Sequence, residues 1–149
     1  MIINSAEEMV RLGERVGRLI SGSTTLELVG DIGAGKTTFV KGLARGMGIT
    51  ETAQSPTFTL SRVYQAPKGL ELRHYDFYRL TDSGILQDEL SEVFTLDNVV
   101  VVVEWASTVG ATLPDDRLRL AITVTGELTR EIELSGLGPE SAKFLESLK

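Results

Sequence analysis

Apolar positions follow two rhythms along this chain, helical and strand-like, and their order predicts an α/β protein. Ser5-Ala6-Glu7-Glu8 has the form of a capping box, with Ser5 as N-cap and Glu8 reaching back from N3. Met9, Leu12, Val16, Leu19 and Ile20 keep helical spacing to about Ser21, and Gly22 stops that helix. Residues 24–29 are β-branched and apolar enough for a short buried strand. After a glycine-rich connection, Phe39, Val40, Leu43 and Ala44 share one side of a second helix, which Gly46 and Gly48 end. Residues 59–65 and 70–77 read as paired strands around the turn Ala66-Pro67-Lys68-Gly69. Residues 82–94 form a short acidic helix with one apolar face. Asn98 is followed by five consecutive valines, 99–103, and a run without alternation marks a strand buried on both faces, the habit of a parallel sheet covered by helices. Residues 117–125 and 128–134 alternate and flank Gly126-Glu127 as a second hairpin, and Pro139 begins a last helix through Phe144, Leu145 and Leu148. These C-terminal elements extend the sheet and close the core, and carry no evident chemistry.

The connection at residues 30–37, Gly-Asp-Ile-Gly-Ala-Gly-Lys-Thr, fits the G-x-x-x-x-G-K-[ST] phosphate-binding loop at every fixed position. Strand, glycine loop and helix is the context in which that motif works. Glycines let successive N–H groups turn inward at a helix N-terminus, where the dipole also favours anions. Lys36 then reaches the β- and γ-phosphates, and the Thr37 hydroxyl is placed to ligate Mg²⁺. The expected fold class is α/β, a three-layer P-loop NTPase-like arrangement whose mixed sheet has a parallel core and added antiparallel hairpins.

Three further stretches could answer this loop. Ser55-Pro56-Thr57-Phe58-Thr59-Leu60 places hydroxyls in a proline-stiffened segment after the loop helix, where a switch segment commonly meets γ-phosphate and Mg²⁺; a plain stiffened loop is an equal reading. Asp76, at a strand end, is a candidate for polarising water or for an outer Mg²⁺ contact. His74 reads as a structural hydrogen-bonder beside Asp76, and Arg73 and Arg79 as surface ion-pair partners, with an arginine finger as the alternative. Glu104 ends the valine strand at the edge where α/β sheets bind ligands, and Mg²⁺ is the natural partner for a carboxylate otherwise desolvated there, with a structural ion pair as the alternative. Trp105 either stacks on a base or packs.

Composition narrows the task. A chain of 149 residues is expected to be one domain, without room for a separate lid bundle. Fifteen Lys and Arg against 21 Asp and Glu give a net charge of −6, which argues against free-standing, non-specific nucleic-acid binding. There is no cysteine and one histidine, so thiolate and multi-histidine metal sites are excluded. No basic region precedes a long apolar one at the N-terminus, and no run approaches 18 apolar residues, so a soluble cytoplasmic protein is expected.

A GTPase would carry Asn-Lys-x-Asp and Asp-x-x-Gly, and neither is present. A small-molecule kinase remains an alternative, although the chain has little room for an acceptor pocket, and so does a nucleotide-gated binding module. Taken in order, residues 30–39, Ser55-Pro56-Thr57-Phe58-Thr59-Leu60, His74-Tyr75-Asp76-Phe77-Tyr78-Arg79-Leu80 and Val103-Glu104-Trp105 resemble the TsaE (YjeE) family across about residues 5–120. The resemblance implies an ATPase needed for threonylcarbamoyladenosine formation at position 37 of bacterial tRNAs. Its implied partners are TsaB and TsaD, with tRNA reached only through that complex, and no membrane. It implies ATP and Mg²⁺ as cofactors: Gly33, Ala34, Gly35, Lys36, Thr37 and Thr38 on the phosphates, Thr37 and Glu104 on the metal, and Thr57 in the switch loop. Asp76 would assist hydrolysis together with Glu104, and Trp105 would lie beside the nucleotide. The chain departs from the family pattern at Ala106-Ser107, where proline and a longer polar residue are common.

Overall fold

The computed structural model describes residues 1–81 and 84–149. Seven strands are described: β1 (Ile2–Ile3), β2 (Thr24–Val29), β3 (Ser61–Gln65), β4 (Glu71–Asp76), β5 (Val99–Glu104), β6 (Leu118–Val124) and β7 (Arg130–Gly136). Four helices accompany them: α1 (Ala6–Leu19), α2 (Lys36–Gly46), α3 (Gly84–Val93) and α4 (Pro139–Leu148). The strands form one sheet in the order β1-β7-β6-β2-β5-β4-β3. β6, β2, β5 and β4 run parallel, whereas the β3–β4 and β6–β7 hairpins and the β1–β7 pair are antiparallel. The expected mixed sheet with a parallel core is therefore present.

Every residue of β5 is buried, as the unbroken valine run requires. Val100 and Val102 face a core with Leu26, Leu28, Leu72, Leu118 and the apolar faces of α1 and α2. Val99, Val101 and Val103 face the opposite layer, where Leu90 and Val93 of α3 meet Tyr75, Phe77, Val109 and Leu113. Two helical layers thus sandwich the sheet.

Ser5 caps α1, its Oγ accepting the Glu8 N–H at 3.2 Å. Glu8 returns one residue earlier than a capping box prescribes, taking the Asn4 N–H at 2.8 Å. The helix ends at Leu19, two residues short of the spacing-based estimate, because Ile20 is already extended and buried. The first hairpin also begins later than expected, at Ser61, since Leu60 takes a left-handed φ of 64° that breaks the ladder. Asp82 and Ser83, assigned from the sequence to the start of the acidic helix, lie outside the described residues.

One packing feature has no counterpart in the apolar pattern. Gly13 and Gly17 of α1 face Gly42 and Gly46 of α2, and a Cβ at any of the four would collide with the backbone of the opposite helix. The two helices touch backbone to backbone, which fixes α1 over the phosphate loop. Gly46 is the last residue of α2 as well as a contact residue. Beyond it, Gly48 at φ 83° and the Ile49 N–H to the Ala44 carbonyl, 2.9 Å, close the helix end.

Candidate nucleotide site

The parallel strands β2, β4 and β5 bring Val29, Asp76 and Glu104 to one carboxyl edge of the sheet, and Asp76 lies directly opposite Glu104 in the register. The phosphate loop leaves β2 at this edge, with Gly33 and Gly35 at φ 78° and 113°, left-handed values that a side chain would resist. A cleft of about 400 Å³ opens there, lined by Gly33, Gly35, Lys36, Thr37, Thr38, Ser55, Thr57, Asp76, Tyr78, Arg79, Glu104 and Trp105 among others. Residues singled out from four separate stretches of sequence therefore meet in one cavity. Ala34 is fully buried beneath the loop and does not line it.

On one wall, the Lys36 ammonium donates to the carbonyls of Gly30 at 2.6 Å and Asp31 at 2.9 Å and lies 5.0 Å from the Trp105 ring centre. Trp105 has φ 57° and packs on Tyr78 with ring centres 5.0 Å apart. Its position beside Lys36 sets the indole against the phosphate loop. On the other wall, the Thr57 hydroxyl donates to Asp76 Oδ2 and is joined to Ser55 Oγ, both at 2.7 Å, while the Tyr78 N–H reaches Asp76 Oδ1 at 3.0 Å. Asp76 thereby ties the Ser55-Pro56-Thr57 segment to the sheet edge. The same segment is held from behind by Tyr64, whose hydroxyl accepts the Gln54 N–H at 3.0 Å.

His74 is fully buried, and its Nε2 lies 2.7 Å from Glu104 Oε1. Its partner is Glu104 and not the adjacent Asp76. Paired with a carboxylate, Nε2 is the donor, and among the described residues Nδ1 has no hydrogen-bond partner, as an acceptor nitrogen can better tolerate than a donor. The imidazole thus orients Glu104 from behind, in the way outer partners orient the ligands of metal sites. Arg73 pairs with Glu71, as expected of a surface arginine. Arg79 lines the cleft with its guanidinium 4.5 Å from the centre of the Phe58 ring, and Phe58 is 83% exposed.

The cleft's donors suit a hard cation: the Thr37 hydroxyl and the Asp76 and Glu104 carboxylates are all oxygens, and Mg²⁺ takes one or two carboxylates and completes its shell from water and substrate phosphates. Among the described residues no group of three His, Cys, Asp or Glu forms a self-sufficient metal centre. An ion held here would depend on phosphate oxygens for the rest of its shell.

Two contributors carry no local signal in the sequence. Tyr78 acts through a backbone N–H, which no side-chain pattern signals. Arg130, in a hairpin assigned no chemistry, donates from Nε to the carbonyl of Ala34 in the phosphate loop at 3.0 Å.

Comparison with known proteins agrees with this architecture. A protein-family model described as threonylcarbamoyl adenosine biosynthesis protein TsaE matches residues 3–132. The chain belongs to the TsaE family. A TsaE relative from Treponema pallidum is 38% identical over 134 residues, covering 90% of this chain and 98% of the relative. Another from Bacillus subtilis is 36% identical over 142 residues, covering 95% and 88%. Both are named tRNA threonylcarbamoyladenosine biosynthesis protein TsaE. The crystal structure of Bacillus subtilis YdiB superposes with a TM-score of 0.83 at 34% identity, covering 99% of this chain and 91% of YdiB. No helix among the described residues is long and apolar enough to cross a membrane.

Proposed function

We propose that this chain is an ATP hydrolase that acts with Mg²⁺ as an accessory subunit of bacterial tRNA threonylcarbamoyladenosine modification at position 37. On this reading it is a single-domain cytoplasmic protein that supports turnover of the TsaB–TsaD transferase and meets tRNA only through those proteins. Family membership and the names of the relatives support the pathway. The observation that carries the activity is the convergence of Lys36, Thr37, Thr57, Asp76 and Glu104 on one cleft.

The division of labour follows from positions. The N–H groups of Gly33 and of Gly35 to Thr38, with the Lys36 ammonium, hold the phosphate chain, whereas the Ala34 N–H donates to the Asp31 carbonyl at 3.0 Å within the loop. Thr37 and Glu104 would hold Mg²⁺, which when bound neutralises charge shared between the β- and γ-phosphates. His74 fixes the Glu104 carboxylate for that task. Asp76 keeps lone pairs free beyond those engaged by Thr57 and Tyr78, and so can accept a proton from a water and orient it. Because Asp76 also anchors Thr57, any movement of the switch segment toward a γ-phosphate alters the group that orients water. Nothing in the cleft forms a separate acceptor pocket among the described residues, so water is the favoured acceptor and the metabolite-kinase reading is disfavoured.

The test is phosphate release from ATP by the purified chain, alone and with TsaB–TsaD. Slow release that accelerates with the partners, without labelling of a metabolite, is the expected result. An ATP-dependent phosphorylated metabolite, or no effect of the partners, would overturn the proposal.

A further inference from the structure

Arg130 opens β7, on the side of β2 away from Asp76 and Glu104. Its guanidinium bridges two parts of the chain. Nε donates to the Ala34 carbonyl at 3.0 Å, and Nη1 donates to the carbonyls of Gly126, Glu127 and Thr129 at 3.1, 3.2 and 3.1 Å. One planar cation thus clamps the phosphate loop to the tip of the β6–β7 hairpin.

The geometry of a trans peptide turns this clamp into a positioning device. The C=O of Ala34 and the N–H of Gly35 belong to the same planar unit and point in opposite directions. With the carbonyl drawn toward the hairpin, the Gly35 N–H is directed away from it, toward the side where Lys36 and Thr37 line the main cleft. Packing alone does not set this orientation. A second hollow of about 150 Å³ lies on the hairpin side of the loop, lined by Ser5, Met9, Gly33, Glu127, Leu128 and Arg130 among others. Gly35, with no side chain and φ 113°, offers little intrinsic resistance to rotation of that peptide.

We propose that Arg130 is a positioning residue for phosphate binding: by holding the Ala34 carbonyl to the β6–β7 hairpin it points the Gly35 N–H at the phosphate chain. The assignment rests on the nucleotide reading of the cleft. It adds to that reading a residue on the opposite side of β2, and a mechanical link from the C-terminal hairpin to the phosphates.

The test uses ADP with Mg²⁺ as probe and the chain's one tryptophan, Trp105, as fluorescent reporter. Arg130→Ala is expected to weaken ADP about tenfold, the worth of one charge-assisted hydrogen bond. In ¹H–¹⁵N spectra of the ADP-bound protein, the Gly35 amide should move from its wild-type position. Arg130→Lys, which can still donate to Ala34, should recover part of both effects. Wild-type affinity and an unmoved Gly35 amide in Arg130→Ala would overturn the assignment. So would an affinity loss that appears only with a lowered melting temperature and leaves the Gly35 amide in place. Failure of the wild-type chain itself to bind ADP would instead remove the nucleotide reading, and this inference with it.

Discussion

At the scale of residues, the two walls of the cleft make separable contributions. Lys36 touches the loop that would carry the phosphates, whereas Asp76 touches the switch segment and a backbone N–H of the opposite wall. Lys36→Ala should therefore cost nucleotide affinity by tenfold or more, and Asp76→Ala should leave affinity within about threefold while slowing turnover at saturation tenfold or more. Equilibrium titration with ADP and single-turnover hydrolysis distinguish the two, and equal affinity losses in both variants would contradict this division. The loop, the valine strand and its terminal Glu104 were legible in the sequence because each is a local pattern. The partner of His74 was not. It follows from the parallel register of β4 and β5, which sets His74 opposite Val102 and Asp76 opposite Glu104, so that the imidazole reaches diagonally to Glu104. No spacing within one strand contains that information.

At the scale of elements, the contact between α1 and α2 sets where the phosphate loop sits. The apolar periodicity predicted both helices but not the distance between them, since Gly13, Gly17, Gly42 and Gly46 read individually as weak helix formers or as helix ends. Their common property, a need for bare backbone, emerges only when the two helices are packed. Gly42→Ala gains about 1 kcal/mol of helix propensity, yet it drives a methyl group into the Val10 carbonyl, so a net loss of about 1–3 kcal/mol is expected in urea unfolding. Gly22→Ala, with nothing within 4 Å of the added carbon, serves as the control and should change stability by less than about 0.5 kcal/mol.

The last helix has its own electrostatic anchor. Asp116 accepts the N–H groups of Glu140 at 2.8 Å and Ser141 at 2.9 Å at the start of α4. The Ser141 side chain, then the Ser141 and Glu140 amides, hold its carboxyl below the ordinary aspartate value. A carboxyl depressed in the folded state contributes stability above its unfolded value and loses it as pH falls through the lowered one. The difference in urea midpoint between wild type and Asp116→Asn should therefore be present at pH 7 and shrink as the medium is acidified below the ordinary aspartate range. A difference that persists unchanged on acidification well below that range would contradict the anchor.

At the scale of the whole molecule, charge and exposure point outward. A net charge of −6 argues against free-standing, non-specific binding of tRNA, and the cleft is flanked by Ile32, 68% exposed, and by Phe58, 83% exposed, stacked on Arg79. Apolar side chains presented beside a binding site suit a protein partner better than a nucleic acid. The motif order indicated the family, whereas the link from the β6–β7 hairpin to the phosphate loop through Arg130 was hidden, because it joins residues 96 apart in the chain by a side chain to a backbone carbonyl. On the proposed function, ATP hydrolysis in this cleft sustains tRNA modification by TsaB–TsaD. It is tested most directly by counting threonylcarbamoyladenosine formed per TsaB–TsaD complex on unmodified tRNA, with ATP and either the wild-type chain or Lys36→Ala. Many modifications per complex with the wild type and about one with Lys36→Ala are the predicted result. Equal yields with the two chains, or with no chain added, would contradict it.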